Sequence, residues 1–253
     1  MQGKGNSGGD WQDAQSYAPL LQADRALVAW EWLRRDPAYC VAARSCRSSS
    51  RLQGSGAGLF GLVAFEPPDV AVPQARPLWR TNAYPYVLWA ELMEAAHPDD
   101  VIDFASLDPL AKVVLDAGQA HLLLSDGFRY VRLDGPPGTF KGPAGLRYQL
   151  HGMRSAERPL VTLQRFLSVT RRGAFQRSLH GPEPRARRWI LQLRAHDALA
   201  KGTSQREIAT VLLGGSAGER NWRIRQPSIR SQVQRLVRSA RLMASGGWQA
   251  LLS

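Results

Sequence analysis

The chain has few of the residues that disulfide-linked or metal-centred folds require. Its 253 residues include only two cysteines, Cys40 and Cys46, and their spacing matches no zinc-binding pattern. Two reduced thiols are the favoured state of this pair, and a disulfide between them is the less favoured alternative. We therefore expect no metal site and no cofactor.

Long apolar runs are also missing. No segment approaches the roughly 18 consecutive apolar residues that a membrane-spanning helix needs. The stretch 1–9 is polar and Gly-rich, lacks the apolar centre of a secretory signal and is expected to be flexible. These absences predict a cytoplasmic protein with no membrane partner.

Signals for catalysis are sparse. The Gly-rich segment 54–61 lacks the Gly-Lys-Ser/Thr ending of a phosphate-binding loop. His196 and Asp197 are adjacent, so their side chains would point apart on a helix. The acidic residues within 99–103 are better explained by helix capping or by solvation. We therefore predict no catalytic residues and a protein that is not an enzyme.

Negative charge is scarce in the C-terminal part of the chain. Residues 145–253 contain 20 Lys+Arg and 5 Asp+Glu, a net charge of +15. Residues 1–144 contain 13 and 16, a net charge of −3. A basic domain attracts a polyanion, most often nucleic acid. Of the 33 basic residues 29 are arginine, which binds phosphate and guanine bidentately, although a GC-rich genome would produce the same bias.

The N-terminal and central regions predict a small α+β arrangement. A helix is expected over 24–35, capped by Asp24, followed by a Gly/Ser linker over 44–61 and a short helix over 86–96. Segments Gln119–Leu124 and 128–133, joined by the turn dipeptide Asp126-Gly127, predict a β-hairpin. Residues 147–150 add a third antiparallel strand.

The C-terminal region, 158–247, predicts a helical bundle with a helix-turn-helix-like unit. Its third helix begins at Ser204, which forms an S-x-x-E capping box with Glu207. A fourth helix over 227–245 has an apolar face opposite a polar one, as a recognition helix in the major groove requires. We expect that helix to contact double-stranded DNA through Ser228, Arg230, Ser231, Gln234, Arg235 and Arg238.

Further basic residues around this helix are candidates for contacts with the DNA backbone. Within the helix itself, Gln234 is suited to hydrogen-bond adenine, and Arg230 or Arg235 to hydrogen-bond guanine. Arg206 lies on the preceding helix, and the long turn 214–226 carries a basic strip. A second patch comprises Arg187 and Arg188 with Arg185 and Arg194. The strip residues predicted to hold the backbone are Arg220, Arg223 and Arg225.

Three alternatives to sequence-specific binding stay open from these residues. A plain helical bundle would present the same arginines to solvent. A non-specific nucleoprotein or an RNA-binding module would use them without reading bases. A nuclease or recombinase is disfavoured, because residues 145–253 contain only five acidic residues and one tyrosine, Tyr148.

Two segments resemble known families. The run Trp30-Glu31-Trp32-Leu33-Arg34-Arg35-Asp36-Pro37-Ala38-Tyr39 resembles the opening motif of a transcriptional-regulator-like domain, placed here over 1–80. The region 100–253 resembles the RovC-like DNA-binding domain, through segments that include 146–148, 185–190, 206–209, Trp222 and 230–241.

This resemblance implies a bacterial transcription activator that binds promoter or operator DNA. Relatives control type VI secretion genes or the transfer of mobile elements, and one assembles as a hexamer. A homo-oligomer, contact with RNA polymerase and association with the nucleoid are therefore expected from the resemblance alone.

Overall fold

The computed structural model describes residues 10–48, 56–214 and 227–253. The expectations for the flexible N-terminus, the middle of the Gly/Ser linker and the turn 215–226 lie outside these residues. Within the described residues, no helix combines the length and apolar character needed to cross a membrane.

The N-terminal region is helical, but it differs from the prediction in two ways: a second helix occupies 44–48 of the expected Gly/Ser linker, and the Asp24 side chain does not cap the first helix. A 3-10 helix, Gln15–Leu21, precedes α1, Arg25–Leu33, and α2, Pro37–Ser48. All residues of α1 after Arg25 are buried. Pro37 opens α2, where a missing N–H costs no hydrogen bond. The Asp36 carboxylate caps this helix, since its Oδ1 accepts the Ala38 amide at 2.7 Å.

Two sheets follow. A short antiparallel pair consists of β1, Leu62–Ala64, and β2, Leu78–Trp79. The main sheet has six strands in the order β4-β8-β3-β7-β6-β5, in which β3 and β7 are parallel and the other neighbours antiparallel. Its strands are β3 Val87–Met93, β4 Val101–Asp103, β5 Ala111–Asp116, β6 Gln119–Leu124, β7 Val131–Gly135 and β8 Pro143–Gln149.

The predicted hairpin forms, but it is one part of a larger sheet. Strands β6 and β7 pair from Ala120 with Gly135 to Leu124 with Val131. The second strand starts at Val131 and not, as expected, at Phe128. The Asp126 carboxylate holds the first two residues of the expected strand in the turn, because it accepts the amides of Phe128 at 2.9 Å and Arg129 at 2.8 Å. The expected three-stranded sheet is therefore wrong in size.

Two further details of the sheet differ from the sequence-based expectation. Residues 147–149 do form a strand, but β8 pairs with β3 and β4 and not with the hairpin. The helix expected over 86–96 is wrong, because this segment contains the interior strand β3. Its leucine, alanine and glutamate favour helix, yet pairing with β7 and β8 on both sides overrides that propensity.

The C-terminal helices agree with the prediction. They are α3 Glu157–Arg172, α4 Ala186–Ala200, α5 Gln205–Leu213 and α6 Pro227–Ala244. The first and third end at glycines in the left-handed conformation, Gly173 with φ +65° and Gly214 with φ +66°. Helix α3 covers the main sheet and buries Phe166 and Val169 against it.

One hydrophobic core joins the N-terminal region to the C-terminal helices. It contains Trp30 of α1, Trp79 of β2, Leu193 of α4 and Trp248 of the C-terminal 3-10 helix Gly247–Leu251. The Trp79 and Trp248 rings lie 5.6 Å apart. The division into 1–80 and 100–253 stays a prediction, and residues from both ranges pack in this shared core.

A buried ion pair reinforces this core. Arg35, just after α1, donates from Nε and Nη2 to the Asp197 carboxylate of α4 at 2.8 and 2.9 Å, and from Nη1 to Glu31 Oε2 at 2.6 Å. The Tyr17 hydroxyl donates to Asp197 Oδ2 at 2.5 Å. Burial lowers the pKa of Arg35, but the two carboxylates outweigh it and raise the pKa above its usual value. Burial, reinforced by Asp197, raises the pKa of Tyr17.

Replacing Asp197 should therefore destabilise the fold strongly. In Asp197→Ala the buried Arg35 guanidinium keeps only one carboxylate partner, Glu31. We therefore expect the free energy of unfolding to fall by about 3–5 kcal/mol. Urea unfolding followed by circular dichroism measures this change. The matched control is Asp116→Ala, which removes the more exposed ion pair with Arg80 and should cost about 0–1 kcal/mol. Equal losses in the two variants would contradict the structural role of Asp197.

Candidate nucleic-acid interface

Helices α4, α5 and α6 form a compact unit with its own core. Ala195 and Ala198 of α4 meet Ile208 of α5, and Val233 and Val237 of α6 pack on both. Small residues on α4 allow the helices to approach closely. The unit therefore holds α6 by its apolar face and leaves the opposite face open.

The capping box that opens α5 is present. The Glu207 carboxylate accepts the Ser204 amide at 3.0 Å and its hydroxyl at 2.8 Å, and the Glu207 amide donates to the Ser204 hydroxyl at 3.3 Å. The hydrogen bonds from the Ser204 backbone and hydroxyl lower the pKa of Glu207. This reciprocal pair fixes where the chain turns from α4 into α5.

The two faces of α6 separate as the sequence predicted. Val233, Val237 and Ala240 are buried, and Ile229 and Leu236 are half-buried. The polar residues occupy an arc of about 160° on the opposite side, at 100° per residue. All six predicted contact residues of this helix are exposed: Ser228, Arg230, Ser231, Gln234, Arg235 and Arg238.

The arginines of this arc carry charge that no carboxylate of the described residues offsets through an ion pair. Within 10–48, 56–214 and 227–253, no ion pair involves Arg230, Arg235 or Arg238. Arg35, by contrast, has two carboxylates within hydrogen-bond distance. An exposed guanidinium without an internal partner is available to a phosphate or a base edge.

The second basic patch is only partly as expected. Arg187 and Arg188 are exposed in the first turn of α4, beside exposed Arg185. Arg194 is different, because it is buried and its guanidinium donates to the Trp11 and Gln12 carbonyls at 2.8 Å each. It fixes the N-terminal segment and is not available to DNA.

Other predicted contact residues can be placed only in part. Arg206 is exposed on α5. Arg220, Arg223 and Arg225 lie outside the described residues.

His196 and Asp197 do not act together, since Asp197 is engaged by Arg35 while the His196 ring lies 5.6 Å from Trp32. Burial lowers the pKa of His196.

The motif Trp30–Tyr39 acts in packing the N-terminal region. Trp30 Nε1 donates to the Val70 carbonyl at 2.9 Å, and the Tyr39 hydroxyl donates to the Glu66 carbonyl at 2.6 Å. Glu31 Oε1 accepts the Val72 amide at 2.9 Å. The sequence marked this motif as distinctive, but its partners lie far along the chain and could not be identified from spacing.

The comparisons with known families agree with this architecture. Residues 153–253 match the RovC DNA-binding family model, described as a T6SS transcription factor DNA-binding domain. Residues 10–59 match the proteobacterial transcriptional regulator-like domain. No curated protein and no solved structure matches the chain.

The two matched domains are those of a DNA-binding transcriptional regulator. They are also the two domains that the sequence resembles. The resemblance to the RovC-like DNA-binding domain and to the transcriptional-regulator-like N-terminal domain is therefore confirmed.

The capping box generates a prediction about pH. The lowered pKa of Glu207 means that its carboxylate stabilises the folded state above the unfolded-state pKa, and that this contribution disappears as pH falls through the lowered value. Glu207→Gln should therefore be less stable than the wild type at neutral pH, by a margin that shrinks in acid.

Thermal unfolding between neutral pH and pH 3 measures this margin. Glu157→Gln is the matched control, because Glu157 also lies in the first turn of its helix, α3, where the cap position is Ala156 and no side chain caps the helix. A margin that stays constant with pH in Glu207→Gln, or that changes equally in Glu157→Gln, would contradict the capping role.

Proposed function

We propose that the protein is a sequence-specific transcription activator that inserts α6 into the major groove of promoter DNA. The observation that carries this proposal is the exposed arc of α6, whose arginines have no ion-pair partner among the described residues. That arc belongs to the region that matches a DNA-binding family.

The geometry of α6 suits base reading. Its 18 residues extend about 27 Å at 1.5 Å per residue, and the N-terminal turns of a recognition helix contact base edges. Arg230 and Gln234 lie one turn apart on the same side, so they would address neighbouring base pairs. Arginine prefers guanine and glutamine prefers adenine. Ser228 lies in the first turn and is proposed to contact a phosphate.

Basic residues outside α6 are proposed to hold the DNA backbone. Arg187 and Arg188 lie at the start of α4, and Arg206 lies on α5, so both helices that support α6 present exposed arginine. Arg220, Arg223 and Arg225 of the turn before α6 are proposed for the same role from their place in the sequence. Such contacts add affinity and salt dependence without sequence preference.

The N-terminal region is proposed to serve assembly and to contact RNA polymerase, without any catalytic step. Residues 1–144 carry a net charge of −3, which makes DNA an unfavourable partner for that part of the chain, and the packing of the N-terminal region on α4 ties its position to that of α6. The hexameric assembly, the cytoplasmic nucleoid location and control of type VI secretion or mobile-element transfer genes rest on the family resemblance.

Substitutions in α6 should separate base reading from backbone binding. Arg230→Ala or Arg235→Ala should weaken binding to the cognate site by about 1–3 kcal/mol and leave binding to a scrambled duplex nearly unchanged. Arg187→Ala should weaken both equally and reduce the salt slope by about 1. Fluorescence anisotropy over a salt series, with a site recovered by genome-wide mapping of bound DNA, measures both effects.

The charge-matched control is Arg154→Ala, since Arg154 is exposed between β8 and α3 and should change neither affinity. Equal wild-type affinity for cognate and scrambled DNA would favour a non-specific nucleoprotein, and tighter binding to RNA would favour an RNA-binding module. Cleavage of supercoiled DNA with magnesium would favour a nuclease.

A further inference from the structure

A cavity lies where the N-terminal region, the main sheet and the C-terminal helices meet. Its volume is about 610 Å³, which falls within the range of about 300–1,000 Å³ that is typical of small-molecule sites. The first turn of α1, the segment before β3, helix α3 and the α3–α4 connection all line it. The residues on which the argument rests are Tyr84, Tyr86, Arg165, Arg177 and His180.

The charged side chains that line this cavity are mostly cationic. Four arginines and two side-chain carboxylates line it, but Arg25 pairs with Glu183 at 2.6 Å and Arg129 pairs with Asp126, outside the cavity, at 2.5 Å. Arg177 is exposed and forms no ion pair with any described residue. Arg165 uses its Nε to donate to the Leu179 carbonyl at 3.1 Å, which leaves its terminal nitrogens for another acceptor. The charged side chains are Arg25, Arg129, Arg165, Arg177, Asp24 and Glu183.

His180 supplies a second, independent sign of a ligand. The residue is 9% exposed, and its Nδ1 makes no hydrogen bond, although it lies 3.4 Å from Asp24 Oδ2. Buried polar atoms in proteins nearly always have a partner. Because His180 lines the cavity, a bound molecule is a candidate partner for this atom.

Tyr84 adds a neutral donor. It is buried and lines the cavity. Burial raises the pKa of Tyr84 well above its usual value, so the hydroxyl keeps its proton and can act as a hydrogen-bond donor. The Tyr86 ring lies 5.4 Å from that of Tyr84, and the two give the cavity an aromatic surface.

The N-terminus of α1 completes the cavity wall. Asp24 is the N-cap residue, but its side chain does not cap α1. Its Oδ2 instead accepts the Tyr130 amide at 2.9 Å. Arg25 and Ala26, which open the helix, both line the cavity. The first amides of a helix favour an anion, particularly a phosphate.

We propose that this cavity binds a small organic phosphate. Arg165, Arg177 and the start of α1 receive the phosphate, His180 and Tyr84 donate to it or to its ester oxygen, and the tyrosine rings pack on the organic part. The cavity does not include the exposed arc of α6, so this inference stands apart from the proposed DNA contacts. Because the ligand would touch both α1 and the α3–α4 connection, it would bridge the N-terminal region and the helices that carry α6.

The test measures binding of two probes, inorganic phosphate and AMP, to the full chain by isothermal titration calorimetry. We expect saturable one-site binding in which the two probes compete. We also expect Tm to rise by about 5 °C or more when AMP is present at one hundred times its Kd. Arg177→Glu should weaken AMP binding about tenfold or more. Tyr84→Phe, which removes only a hydroxyl, should weaken it by a smaller factor.

Arg154→Glu, the same charge reversal on a residue that does not line the cavity, should change the AMP Kd by less than about twofold. The proposal is overturned if neither probe binds saturably at millimolar concentration, or if the two charge reversals weaken binding equally. It is also overturned if Arg177→Glu leaves probe binding intact and loses DNA affinity, since the cations would then belong to the DNA interface.

Discussion

The buried pair of Arg35 and Asp197 is the interaction on which the arrangement of this protein depends. The two residues are 162 positions apart, and each side chain is less than a tenth exposed. Charges this deeply buried require full compensation by partners. The compensation comes from Glu31 on the N-terminal side and from Tyr17, so the network closes only when the N-terminal region sits correctly on α4.

This dependence links the two matched domains mechanically. Helix α4 has one face in the shared core with α1 and another in the core that holds α5 and α6. Arg194 of the same helix fixes the Trp11 and Gln12 carbonyls. A force or ligand that moved the N-terminal region would therefore act on the helix that supports the exposed arc of α6.

Features that depend on residues close together in the sequence were predicted correctly, and features that depend on distant residues were not. The start of α5 at Ser204, the presence of a turn at Asp126 and Gly127, and the two faces of α6 depend on residues a few positions apart, and all three are predictable from the sequence. Only glycine fits that turn, because Gly127 has φ +97° and an added Cβ would lie 2.5 Å from the Pro73 carbonyl oxygen. The segment of strand β3 has the sequence pattern of a helix, and it was not predicted as a strand because the strands that it pairs with, β7 and β8, lie about 40 or more residues later in the chain.

The same distinction explains the candidate site. Local spacing identified the arginines of α6 as one exposed face, but it could not show that Arg194 is buried, since its partners lie 183 and 182 positions away. A net charge taken from the sequence therefore does not distinguish arginines that are paired inside the fold from arginines that are exposed. Arg35 and Arg194 hold the fold together through internal acceptors, whereas Arg230, Arg235 and Arg238 have no ion-pair partner among the described residues. Under the proposed function the unpaired set binds the polyanion, so pairing within the fold, rather than net charge, separates candidate DNA contacts from structural arginines.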